Sequence, residues 1–228
     1  IDEYIEQTAI ANPHALIFYT APTLERREFP RGTEELPPPP REIKPHPHGI
    51  ELGVLMKMLK DAKGVKLAGF LQREFCRVSG SGAASICERA GLSPKGPPSQ
   101  IGMHDVERLY EAMQNVKFMA PPTDCLAPIG IRNLLAGLLK EVKAEFFTAT
   151  TRDPAVYRGN PFQIEVALAY GGNLPGDQPA RVIRFANRVP LLYQQSACAA
   201  FKSVLDVDWR NYTLSQPSGS LPVGPLVV

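Results

Sequence analysis

Two histidines one residue apart, His46 and His48 in "REIKPHPHGIELG", are the pair in this sequence that most suggests a metal site. Zinc needs three or four ligands converging on one point, and neither cysteine nor carboxylate clusters at ligand spacing around them. With prolines on both sides they read better as polar residues of a linker. His14 and His104 are equally isolated. The four cysteines, Cys76, Cys87, Cys125 and Cys198, are far apart and form no C-x-x-C pair. That pattern fits reduced, buried thiols, and neither a disulfide framework nor a zinc ribbon. Nucleophilic catalysis lacks a G-x-S-x-G turn and paired carboxylates on an apolar strand. "GSGAAS" is glycine-rich, but it follows a helical pattern and lacks the lysine of a phosphate-cradling Walker loop. Catalytic, cofactor-binding and metal-ligating residues are therefore expected to be none.

What remains is anion recognition. Helices joined through "SGSGAA" leave backbone N–H groups at a helix N-terminus, where Gly80 and Gly82 let a nucleic-acid phosphate approach without sequence readout. Lys63, Lys66, Arg73, Arg77 and Arg89 are close in sequence and deepen the positive field. The same residues describe, equally well, a tight helical corner with a solvated basic rim. A second candidate is "VDWRNYTL", where Trp209 and Tyr212 flank Arg210 and offer a cation between two aromatic bodies. The competing reading is a helix end folding back on its core.

The elements that must position these residues follow from periodicity. Ile5 to Ile10 read as a short helix, and "ALIFYT" with "ERREFPR" as a β-hairpin without a core of its own. From Gly32 to Gly49 proline fixes φ and removes backbone donors, which predicts a stiff linker. Ile50, Val54, Leu55, Met58 and Leu59 then share one helical face, and Leu67, Phe70, Leu71 and Phe75 the next. A short helix through Ala83, Ile86 and Ala90 ends at a Gly91 cap, and "HDVERLYEAMQNV" supplies one more, with Val106, Leu109, Tyr110 and Met113 inward. These make a small all-α domain. After "MAPPTDCLAPIG" an apolar helix, "IRNLLAGLLKEV", leads into the strands "AEFFTATT", "FQIEVALAYGG" and "ARVIRFANRVPLLY". A helix, "SACAAFKSVLDV", returns the chain to a final strand, an α+β layer.

Composition bounds the rest. At 228 residues and 44% hydrophobic content the chain can bury ordinary cores in one to three domains. A net charge of +2 leaves nucleic-acid binding to local clusters. No apolar run approaches the ~20 residues of a membrane span, and no signal pattern opens the chain, so a cytoplasmic protein is expected. Both ends look cut, and the sequence reads as a piece of a longer protein.

Several stretches together resemble one family: "TAIANPHA", "PPPPREIKPHPHG", "FLQREFCRV", "APPTDCLAPIG", "YRGNPFQIEVALAYGG", "RFANRVPLLYQQSAC", "DWRNY" and "LPVGP". In order, and over essentially the whole chain, they are similar to the B subunits of archaeal DNA topoisomerase VI, type IIB enzymes with a GHKL ATPase domain. The resemblance implies an α+β, multi-domain chain. Residues 1–36 would end the ATPase domain, 37–122 would form the proline-rich linker and a helix-two-turns-helix domain, and 123–228 would begin an α/β transducer with a fold like that of a small-subunit ribosomal protein.

Function follows by the same implication. ATP and Mg²⁺ act in the full-length protein, while none is expected to bind this stretch. ATP dimerises two B subunits, and the transducer passes closure to the A subunits of a two-A, two-B heterotetramer. These cleave one duplex so that another passes, relaxing supercoiled DNA. The partners implied are the A subunit, double-stranded DNA and a second B subunit, with no membrane. A family motif of the pattern W-K-x-Y, associated with DNA contact, matches Trp209, Arg210 and Tyr212, with Arg where Lys is usual. The alternative class is a non-catalytic DNA-binding scaffold of a topoisomerase-VI-like recombination complex. Intact or eroded ATPase signatures upstream would separate the two.

Overall fold

Proline makes the first division of the chain. Four successive prolines at 37–40 each fix φ and lack an N–H, so no regular element forms between Phe29 and a 3-10 turn at Pro47–Gly49. The computed structural model describes residues 1–228 as two compact units. One contains Ile1–Pro38, Ala127–Arg152 and Ile164–Val228; the other contains Pro39–Leu126 and Asp153–Gln163. The architecture is mixed α/β, with seven α-helices and small antiparallel sheets.

Four amphipathic helices build the second unit: α2 (Leu52–Asp61), α3 (Leu67–Glu74), α4 (Gly80–Ala90) and α5 (Met103–Asn115), numbered after α1 of the first unit. Leu55 and Leu59, Leu67, Phe70 and Leu71, Ala83, Ile86 and Cys87, and Val106, Leu109 and Met113 fall at three-to-four-residue spacing and close on one core. Phe70 meets Phe75 edge to face, with centroids 6.1 Å apart. Gly91, at φ 65°, ends α4 in the left-handed conformation that a side chain would strain. The loop after it turns back, and the carbonyls of Gly96 and Pro94 accept from the amides of Leu67 and Ala68 at 2.9 and 3.0 Å. Residues just past the end of α4 thus cap the start of α3, so these helices run as an antiparallel pair. A short hairpin, β4 (Ala155–Tyr157) and β5 (Asn160–Phe162), also belongs to this unit.

In the first unit α1 (Asp2–Ala11) extends three residues before and one beyond the expected Ile5–Ile10. Strands β1 (Ile17–Thr20) and β2 (Arg26–Phe29) form the expected hairpin. Helix α6 (Ile131–Glu141) packs on a three-stranded antiparallel sheet of β3 (Phe146–Thr151), β6 (Glu165–Tyr170) and β9 (Leu226–Val227), with β6 central. Ile10, Leu138, Val142, Ala169 and Val227 form its core. A Cβ at Gly137 would run into the Ile10 carbonyl oxygen, so the absence of a side chain there lets α1 rest directly on α6. Helix α6 has no capping side chain of its own; the Glu165 carboxylate of β6 accepts from the Ile129 and Gly130 amides, both at 2.7 Å, and from the Thr151 hydroxyl at 2.9 Å.

One expected strand is not continuous. "ARVIRFANRVPLLY" makes only isolated bridges and a hairpin of β7 (Phe185–Ala186) and β8 (Val189–Pro190). Asn187 and Arg188 both take positive φ, 50° and 65°, which turns the chain there. Helix α7 (Ala199–Leu205) follows, then a 3-10 turn at Trp209–Tyr212.

Candidate nucleic-acid interface

The glycines expected to join two helices lie inside the second one. The α3–α4 joint is made by Phe75–Ser79, where Arg77 takes φ 61°, and Gly80 and Gly82 belong to the first turn of α4. Ser79 is the N-cap: its hydroxyl accepts from the Gly82 amide at 3.1 Å, and its carbonyl accepts from Ala83. The amides of Gly80 and Ser81 face solvent with no protein acceptor. Neither glycine is required by the fold. Both have helical backbone, the nearest atom to an added Cβ at Gly80 is 3.6 Å away, and at Gly82 it is 3.4 Å away. Two glycines in one turn weaken a helix by about 0.5–1 kcal/mol each, and here they leave its first amides uncovered.

The basic residues separate into two groups. The antiparallel pairing of α3 and α4 puts Arg73 and Arg77 beside Gly80 and Gly82, while Lys63, Lys66 and Arg89 stand at the opposite end, about 12 Å along an eight-residue helix. Lys95 joins this second group, carried there by the Pro94 and Gly96 hydrogen bonds to α3. Nothing in its local sequence marks it, because loop hydrogen bonds place it. All of these side chains are exposed. Arg73 is 2.5 Å from the Glu74 carboxylate, and Arg77 donates its Nε to the Ala120 carbonyl at 2.9 Å. Lys63, Lys66 and Arg89 make no ion pair.

Trp209 does not face outward. It is 9% exposed, packs with Ala180, Leu214 and Leu226, and donates its indole N–H to the Val204 carbonyl at 2.8 Å. Arg210 is not held between aromatic rings; it pairs with Asp208 at 2.8 Å, which pulls the Asp208 carboxyl below its usual range. Tyr212, two-thirds exposed, stands beside Trp209 with centroids 6.0 Å apart. The surface presented is therefore Arg210 and Tyr212, seated on a buried indole.

The histidines are not solvated linker residues, contrary to expectation. His46 is 5% exposed. Its Nδ1 accepts from the His48 amide at 3.2 Å, which leaves the proton on Nε2 to donate to the Met119 carbonyl at 3.1 Å. His48 Nε2 lies 2.8 Å from the Val116 carbonyl, and both rings meet Phe118 edge-on. Burial is the main cause of a lowered His46 pKa. Gly159 completes the corner: a Cβ there would sit 2.6 Å from His46 Nδ1. Both nitrogens of His46 and the Nε2 of His48 are thus turned to backbone, and no three His, Cys, Asp or Glu side chains converge as a metal site would need.

Glu111–Asn115 spells E-x-x-x-N. It falls in the last turns of α5, and the Asn115 amide is spent on the Glu111 carbonyl at 2.8 Å. Both residues are exposed on a helix surface.

Known proteins share this sequence over its full length. Residues 121–228 match the family model described as topoisomerase VI B subunit, transducer. The B subunit of type 2 DNA topoisomerase 6 from Methanosarcina mazei is 50% identical over 228 residues, covering all of this chain and 37% of that protein. The protein of the same name from Archaeoglobus fulgidus is 44% identical, covering 99% and 37%. That of Pyrococcus horikoshii is 34% identical, covering 99% and 47%. The chain thus spans 37–47% of the length of these relatives.

Proposed function

The chain belongs to the topoisomerase VI B-subunit family, and from that premise we propose that it works within an ATP-dependent type II topoisomerase as a part that transmits and grips. In this reading residues 1–36 close the ATPase domain, 37–122 form the helix-two-turns-helix domain and 123–228 begin the transducer. ATP and Mg²⁺ chemistry belongs to other parts of the full-length protein, and strand cleavage to an A-subunit partner. This chain couples closure of two B subunits to cleavage, so that one duplex passes another and supercoils relax.

The helical unit contacts duplex DNA at the start of α4. The single observation that carries this is the pair of open amides at Gly80 and Ser81, in a turn whose glycines serve no need of the fold. Such amides grip a phosphate oxygen at the positive end of a helix and read no base. Arg77 stands next to them and adds charge. Arg210 and Tyr212 provide a second contact, a phosphate-directed cation beside an exposed ring.

Fluorescence anisotropy of the 228-residue chain with a labelled duplex tests it. Binding should weaken as salt rises, with log K falling by about 0.9 per log salt for each phosphate neutralised. Failure to bind at low salt, or affinity indifferent to salt, would remove the DNA contact from this chain.

A further inference from the structure

Between α2 and the first turn of α5, beside the 3-10 turn Pro98–Gln100, lies an open groove of about 250 Å³. Leu59 and Val106, both buried in the helical core, line it from below, and Met56, Ile101 and Met103 line it higher up. Met103, the first residue of α5, is 53% exposed and takes no part in the core beneath.

Size and lining decide what fits. Small-molecule and cofactor pockets run from about 300 to 1,000 Å³, so this groove falls below that range and suits one or two apolar side chains. Methionine, unbranched and polarizable, adapts its shape to whatever packs on it. Apolar side chains spaced i, i+3 and i+4 on an amphipathic helix are a recurring way of filling a groove of this kind.

Charge narrows the occupant further. Lys60 is the only charged side chain of the lining, and Lys57 stands one turn before it on α2. Both are exposed and neither makes an ion pair. Asp61, the one acid of α2, is turned a further ~100° round the helix, away from Met56. On α5, Asp105 is taken up by Arg108 at 2.7 Å, and Glu107 stands 3.9 Å from the His104 ring. The unanswered charge beside the groove is therefore positive.

We propose that this groove is an interaction surface for an acidic amphipathic helix of a partner protein. Its apolar side chains enter beside Met56 and Met103, and its carboxylates meet Lys57 and Lys60. Nothing in this docking depends on the DNA contact at the start of α4.

The probe is a synthetic helix of about 18 residues, with leucines at i, i+3, i+4 and i+7 and glutamates beside them. It is titrated into the folded 228-residue chain with isotope-labelled methionine methyls. Of the five methionines, Met56 and Met103 should shift and saturate, while Met113, buried in the core, and Met119, outside the groove, should stay. The same helix with lysine in place of glutamate should bind at least ~10-fold more weakly, and Lys60→Glu should weaken the glutamate helix at least ~5-fold. The proposal is overturned if Met56 and Met103 do not move, if all five methionines move together, or if the lysine helix binds as tightly; that last comparison uses the native chain and no variant. Shifts of Met56 and Met103 that grow with protein concentration alone would assign the groove to a second copy of this chain, and shifts caused by a duplex but not by the glutamate helix would assign it to DNA. Either result overturns the proposal as well.

Discussion

His46 Nε2 lies 3.1 Å from the carbonyl oxygen of Met119, and this bond fastens the end of the proline-rich segment to the chain leaving α5. The corner around it depends on an unprotonated ring, because Nδ1 must accept from the His48 amide. A second proton would face that donor, with Arg77 and His48 as the nearby cationic or titratable groups.

This corner should make the helical unit acid-sensitive. Burial holds the His46 pKa below 6.5 in the folded chain, so the unfolded chain binds the proton more readily. The stability contributed by the neutral ring is complete above about 6.5 and is lost as pH falls through the lower folded value. Hydrogen-exchange protection of the His48 and Cys76 amides, followed from about pH 7.5 to about pH 5, should drop. In His46→Gln the drop should flatten. Equal pH dependence in both proteins would show that His46 is not its source.

Glu165 should be a stability determinant of the sheet unit. Its carboxylate satisfies two consecutive amides at the start of α6 and one hydroxyl. Glu165→Ala leaves those donors without it and should cost about 1.5–3 kcal/mol, the range of a hydrogen bond to a charged group. The fluorescence of Trp209, the only tryptophan and a residue of this unit, reports it in denaturant titrations. A midpoint unchanged from the native chain would mean that water replaces the carboxylate at no loss.

Gly137→Ala tests the α1–α6 contact. The added methyl would meet the Ile10 carbonyl, which is backbone and cannot swing aside. Although alanine is the better helix former, the substitution should destabilise by about 1–3 kcal/mol through overpacking. A gain in stability in the same titration would show that α1 does not pack here.

Gly82→Glu separates folding from DNA binding. Together with Ser79 it completes a capping box, and the space beside Gly82 admits a side chain, so α4 should hold or gain stability. The carboxylate also sits where a phosphate would lie. Duplex affinity should therefore fall several-fold, with a smaller salt slope. Undiminished affinity would move the contact away from α4.

Much of the helical unit was legible in the sequence, because each helix buries one stripe and the stripe repeats every three to four residues whatever its partner. Gly91, Ser79 and the proline run act locally as well, through backbone conformation and the nearest amides. The sheet unit was less so: "RVIRFANRV" carries enough apolar residues for a strand, but two adjacent residues at positive φ and an inward arginine break it.

The candidate contacts depended most on the tertiary fold. Residue types alone determined that basic residues and glycines lie close together in sequence around α3 and α4. Only the fold decided that the lysines and arginines divide between two helix ends, that Trp209 turns inward while Tyr212 does not, and that His46 is buried. The reason is range: a cap or a helical stripe is set by neighbours within one or two turns, whereas His46 meets the Met119 carbonyl and Trp209 packs with Ala180 and Leu226, groups that only the packed chain brings to them.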